Sequence, residues 1–252
     1  MKYSLCIETV FEDIPFYDRV GLAKDLGLDA IEFYNPAMYD GKKLSGVLAN
    51  YNMPVAICGL NDGWTVRLNT PFDSLRENIE KTIRFGKEIG CTTFTGHVCE
   101  GELDREKEKL FLIENLKRIA ELCEKDGVTI AIELLNSIYD NKGYLLDNSN
   151  IGFEVIKAVG SPSVKILYDC YHTQIMEGNL INTMRSNIEN IAHFHGASVP
   201  NRCELFDGEI NYRSFVETAD KAGYDRYFGL EYWPTYDNTQ SLQDVLKNLK
   251  GC

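Results

Sequence analysis

The chain has 252 residues, of which 44% are hydrophobic and 25% charged, with a formal net charge of −12 and a pI near 4.9. That length suits one large domain, residues 1–252, and the acidity argues against a nucleic-acid or anionic-membrane partner, since both ask for a basic footprint. No apolar run approaches the roughly 20 residues of a membrane span, and Met1–Ile7 enters a predicted strand with no signal-peptide layout, so a cytoplasmic protein with reduced cysteines is expected.

In chain order, Tyr3–Glu8 reads as the first strand. Asp13 is placed to cap a helix with Ile14-Pro15 in its first turn, and Phe16, Val20 and Ala23 form its apolar stripe up to Gly27. Ala30–Tyr34 is the second strand, Lys43–Tyr51 the second helix and Pro54–Leu60 the third strand. The loop Asn61–Asn69 carries Trp64 and Arg67, unusual residues for a mere connection. Ser74–Ile89 is the next helix, and Thr92–Val98 the fourth strand with His97 near its end. The charged helix Asp104–Lys125 has an apolar face of Leu110, Ile113, Leu116, Ile119, Ala120 and Cys123. Strand Val128–Glu133, polar loop Leu135–Asp147, helix Asn150–Val159 and strand Val164–Asp169 follow. Then come helix Leu180–Ile188, strand Ile191–His195, the loop Gly196–Glu209, helix Tyr212–Ala222 capped by Asn211, strand Tyr227–Glu231 and helix Ser241–Leu249.

Strict strand–helix alternation implies parallel strands joined by right-handed crossovers. Eight such units without a glycine-rich first turn favour a closed (β/α)₈ barrel over an open doubly wound sheet. Strands five to eight share a form: each is an apolar run that ends in a residue able to bind a metal, namely Glu133, Asp169, His195 and Glu231. Barrel active sites lie at the carboxyl ends of the strands, so these four should converge. Three carboxylates that close raise one another's pKa unless a cation neutralises them, and a donor set of three oxygens and one imidazole suits Mn²⁺ or Mg²⁺, with Co²⁺ usable and zinc less so.

The chain resembles the xylose-isomerase-like barrel superfamily, and within it the hydroxypyruvate isomerases. The resemblance rests on Tyr168–Gly178, on Pro200-Asn-Arg202 with Gly208–Tyr212, and on Gly229–Pro234. It implies that Glu133, Asp169 and Glu231 bind the metal and that the two glutamates also move the proton. His195 stands where hydroxypyruvate isomerases tend to carry glutamine, and ketose 3-epimerases carry histidine there. Those epimerases also have counterparts of His172 and Arg202, and usually a further glutamate near the place that Tyr139 takes here.

The expected chemistry is isomerisation or epimerisation of a small 2-hydroxy carbonyl compound, a hydroxypyruvate-like keto acid or an unphosphorylated sugar, through an enediolate. Proton return to the adjacent carbon isomerises; return to the opposite face epimerises. A metal-dependent lyase of the same superfamily, a dehydratase or a subunit that cleaves carbon–glycosyl bonds, is the alternative. His172 would bind a substrate hydroxyl or carbonyl and Arg202 a carboxylate or oxyanion. His97 would face the mouth, with Trp64, Tyr34 and Trp233 as apolar walls; His193 reads as a packed core histidine. A homo-oligomer is compatible with the family.

Overall fold

The alternation read in the sequence closes on itself. In the computed structural model, which describes residues 1–98 and 104–251, eight parallel strands pair in chain order and the last returns to the first. They are β1 (Lys2–Cys6), β2 (Ala30–Phe33), β3 (Val55–Gly59), β4 (Thr93–Gly96), β5 (Thr129–Glu133), β6 (Val164–Asp169), β7 (Ile191–Gly196) and β8 (Tyr227–Leu230). Around them lie α1 (Phe16–Asp25), α2 (Gly41–Tyr51), α3 (Phe72–Ile89), α4 (Arg105–Asp126), α5 (Ser149–Val159), α6 (Cys170–Met176), α7 (Leu180–Asn187), α8 (Tyr212–Lys221) and α9 (Asn238–Lys250).

Local chemistry sets the helix ends. Asp40 accepts from the Lys43 amide, Asp104 from Lys107 and Asn211 from Ser214, each satisfying an amide that has no partner inside its helix. Asp13 does not cap α1. That helix starts at Phe16 behind Pro15, with no side-chain cap, and Asp13 instead accepts from Asn238 Nδ2 at 3.2 Å. Proline has no amide to cap and fixes its own φ, so Pro15 marks the boundary itself. On α4 the buried stripe runs through Leu112, Leu116, Ile119 and Cys123, whereas Leu110 is 61% exposed. The stripe begins two residues later than the sequence pattern suggested. A helix absent from the sequence reading, α6, follows β6 without a loop.

Two cores result. The large one fills the sleeve between strands and helices; in it Phe228 meets Tyr3, Phe194, Tyr212 and Phe215 at ring distances of 5.7–6.4 Å. Each fully buried ring of this kind stabilises the fold by about 1.5–3 kcal/mol. The small one, Ile57, Ala131, Leu167 and Ala192, is a separate apolar cluster contributed by β3, β5, β6 and β7. Six cysteines, Cys6, Cys58, Cys91, Cys123, Cys170 and Cys203, are buried and form no disulfide; Cys99 and Cys252 lie outside the described residues.

Candidate metal centre and active site

Glu133 and Asp169 end β5 and β6, His195 sits one residue from the end of β7, and Glu231 follows β8 directly. Parallel pairing sets Asp169 beside His195, and partners in a ladder project to the same face. One donor atom from each of Glu133, Asp169, His195 and Glu231 lies within 4.8 Å of all the others, and all four residues are buried. His195 Nδ1 is 3.3 Å from Glu133 Oε1 and 3.4 Å from Glu231 Oε2. An ion bound at about 2.1–2.6 Å bridges donors up to about 4.2–5.2 Å apart, so the spacing fits a hard divalent cation. Three carboxylates taken out of water at this density also need positive charge.

Asp169 does two jobs. Its Oδ1 accepts from the amides of Tyr171 (2.7 Å) and His172 (3.1 Å) and so starts α6, which leaves Oδ2 toward the centre. This explains the sharp strand-to-helix turn at Asp169-Cys-Tyr-His172. His172 is fixed by a residue the sequence reading passed over. The Asn136 amide donates to His172 Nδ1 at 3.1 Å, so Nδ1 is an acceptor and the proton sits on Nε2. That Nε2 is buried, has no hydrogen-bond partner among the described residues, and lies 3.8 Å from Asp169 Oδ2. Burial pushes His172 below the usual histidine range, consistent with a neutral ring.

His97 faces inward, with Nε2 2.8 Å from Glu133 Oε2, and Trp64 stacks on its ring at 3.8 Å. Trp64 is thus held over the site although 37% exposed. Arg202 Nη2 donates to Glu231 Oε2 at 2.7 Å, with its guanidinium 5.0 Å from the Tyr171 ring and 4.9 Å from Trp233. Tyr139 is 72% exposed, its backbone amide turned to Asn136 Oδ1.

A second polar layer adjoins the centre. Glu32 of β2 accepts from Ser4 Oγ at 2.9 Å and pairs with His193 Nε2 at 2.7 Å, while its other oxygen lies 3.2 Å from His195 Nε2. His193 is therefore a buried histidine with an ionic partner. Gly229 makes room: a Cβ there would stand 2.5 Å from Glu32 Oε1 and 2.7 Å from both His193 Nε2 and His195 Cδ2. Burial would raise Glu32, but the two histidines hold it down at about 2. Burial would lower His195, yet Glu32 and Glu133 push it up to about 10. Burial likewise opposes ionisation of Glu133, and bonds with His195 and His97 outweigh it and hold that carboxyl well below its usual range. Burial and the Glu32 charge push Glu231 up.

The centre opens to a mouth of about 440 Å³ lined by Glu8, Tyr34, Trp64, Arg202, Glu231 and Trp233, among others. Glu8 is gripped by the Tyr34 amide and the Tyr39 hydroxyl, both at 2.5 Å. On the opposite rim, buried Glu204 accepts from Thr235 N, Thr235 Oγ1 and Ser241 Oγ at 2.8–2.9 Å, and Trp233 N donates to Arg202 O at 3.0 Å. The loops after β7 and β8 are thereby joined.

Barrel and site define the class. The family described as xylose isomerase-like TIM barrel matches residues 20–251, and the chain belongs to it. It is 30% identical over 252 residues to the 2-oxo-tetronate isomerase of Cupriavidus necator, covering 96% of each chain, and 28% identical to the hydroxypyruvate isomerase of Escherichia coli, covering 93% and 94%. Among solved structures it matches an AP endonuclease, family 2, from Brucella melitensis with a TM-score of 0.89 at 25% identity over 96% of each chain. A D-psicose 3-epimerase from Clostridium cellulolyticum shares the fold with a TM-score of 0.84 at 16% identity, over 100% of this chain and 99% of that one.

Proposed function

We propose that the chain is a divalent-metal-dependent isomerase of a small 2-hydroxy carbonyl compound, with a hydroxypyruvate-like keto acid as the first candidate substrate and an unphosphorylated sugar as the second. The observation that carries this reading is the convergence of Glu133, Asp169, His195 and Glu231 within 4.8 Å at one end of the barrel. Relatives named hydroxypyruvate isomerase and 2-oxo-tetronate isomerase support the reaction class. An endonuclease reading, from the name of the structural neighbour, does not suit the chain, because a net charge of −12 has the wrong sign for DNA phosphates.

Glu133, Asp169, His195 and Glu231 would hold Mn²⁺ or Mg²⁺, with Co²⁺ as a working substitute. When bound, the ion supplies Lewis-acid polarisation of the substrate's carbonyl and neighbouring hydroxyl oxygens. Glu133 or Glu231 then takes the proton from the carbon beside the carbonyl, and the same or the other glutamate returns one. His97 keeps Glu133 Oε2 aimed and so acts on the substrate through that carboxylate. His172 donates its unpartnered Nε2–H to a substrate oxygen. Arg202 neutralises a carboxylate or developing oxyanion next to Glu231. Trp64 and Trp233 wall the mouth and exclude water.

The test is solvent deuterium exchange. The protein with Mn²⁺ is incubated in D₂O with hydroxypyruvate, 2-oxo-tetronates and ketoses, and carbon-bound protons are followed by NMR. Exchange or isomer formation that EDTA abolishes is expected. Release of water with loss of mass would replace the isomerase by the lyase reading. Silence from a metal-loaded protein would sink both for these substrates.

A further inference from the structure

Every imidazole has two nitrogens, and those of His195 face different neighbours. Nδ1 looks into the carboxylate centre, 3.3 Å from Glu133 and 3.4 Å from Glu231, whereas Nε2 looks at Glu32 Oε1, 3.2 Å away. A metal ligand must offer a lone pair, so a ligating His195 carries its proton on Nε2. Glu32 Oε1 is the charged group paired with that nitrogen, and among the described residues neither atom has a hydrogen-bond partner elsewhere. It is itself held from the other side by Ser4 Oγ and His193 Nε2, both on Oε2, so that Oε1 is left for His195. The arrangement needs the missing side chain of Gly229, whose Cβ would collide with Glu32, His193 and His195 together.

From this geometry we infer that Glu32 is a positioning residue: it fixes the tautomer and ring orientation of His195 and thereby sets the metal affinity of the centre, with His193 and Ser4 as its own supports. The inference rests on the metal-centre reading above. Carboxylates that hold the far nitrogen of a ligating histidine change metal affinity by about 10–100-fold on removal. Glutamine at position 32 has one acceptor oxygen where glutamate has two, so it would turn an amide N–H₂ toward one of the two histidines.

Mn²⁺ titration of the full chain, with free Mn²⁺ read by electron paramagnetic resonance, tests this without reference to turnover. The proteins compared are the wild type, Glu32→Gln, His195→Ala and the double variant, each checked for fold by circular dichroism. Glu32→Gln should weaken binding about 10–100-fold. In the His195→Ala background it should weaken binding little further, because its route to the metal is gone. If the two losses multiply, Glu32 acts by bulk charge and the inference falls. Unchanged affinity in Glu32→Gln overturns it as well. Should Glu32→Gln not fold, Glu32→Asp keeps the charge but withdraws it by one methylene, and the same non-additivity with His195→Ala decides. A wild type that binds no Mn²⁺ overturns the metal-centre reading, and Glu32's role with it; the other adverse outcomes leave that reading standing.

Discussion

The two halves of the barrel are built alike and furnished differently. Strands β5 to β8 each deliver one donor to a common point, and α6 adds His172. Strands β1 to β4 deliver Glu32 beneath His195, His97 against Glu133, and the walls Glu8, Tyr34 and Trp64. On the proposed function, the second half supplies the groups that touch the reacting atoms, and the first half aims and encloses them. The division is one of degree, because Arg202 and Trp233 of the second half also line the mouth; one fold supports many substrates by varying such walls around a fixed cluster.

The comparison is most exposed at Glu133. Glu133→Gln should lower kcat about 10²–10⁴-fold while the circular dichroism spectrum and melting curve stay close to wild type, and Glu231→Gln should do the same. Near-normal rates in both would remove the proton-transfer role from the second half. His172→Asn comes next. It keeps an acceptor for the Asn136 amide near the Nδ1 position but has no donor that reaches the Nε2 position, and the loss of one buried hydrogen bond, about 1.4 kcal/mol, should lower kcat/KM about tenfold. An unchanged kcat/KM would show that Nε2 meets no substrate oxygen. The smallest effect is expected in the first half. Trp64→Phe should raise KM a few-fold through a poorer stack on His97, worth about 0.5–1.5 kcal/mol, with kcat nearly intact. A fall in kcat as deep as that of Glu133→Gln would erase the distinction between the halves.

The same asymmetry governs what was legible in the sequence. The eight-stranded barrel could be read because hydrophobic runs and helix stripes alternate without interruption. The convergence of Glu133, Asp169, His195 and Glu231 could be read because four consecutive strands end in the same way. Glu32 could not, since it lies inside its strand and its partners are far along the chain; the available signal was a carboxylate within the otherwise apolar run Ala30-Ile-Glu-Phe33, where a buried charge demands a partner. Asn136 meets His172 Nδ1 with its backbone amide at 3.1 Å and with its side-chain Nδ2 at 2.7 Å, and it was passed over because it stands in the polar loop after β5 with no spacing that ties it to His172. Helix α6 was missed because Asp169 ends a strand and caps a helix at once, leaving none of the usual turn residues between them. At Asp13, the acid looked like a cap only until Pro15 was seen to take the boundary.

The weld at Glu204 has a consequence for how such a protein diversifies. Arg202 and Trp233 ride on two loops that the buried carboxylate ties to each other, so a change in either is felt by both, and by Glu231 between them. Across the mouth, Trp64 belongs to the short stretch 61–67, which supplies none of the four donors and meets Glu133 at one remove, through the Trp64 stack and the Arg67 bridge to His97. Exchanges there that keep the stack and the bridge alter the shape of the mouth. Substrate range is thereby freer to drift in that stretch, whereas the opposite rim evolves only as a unit.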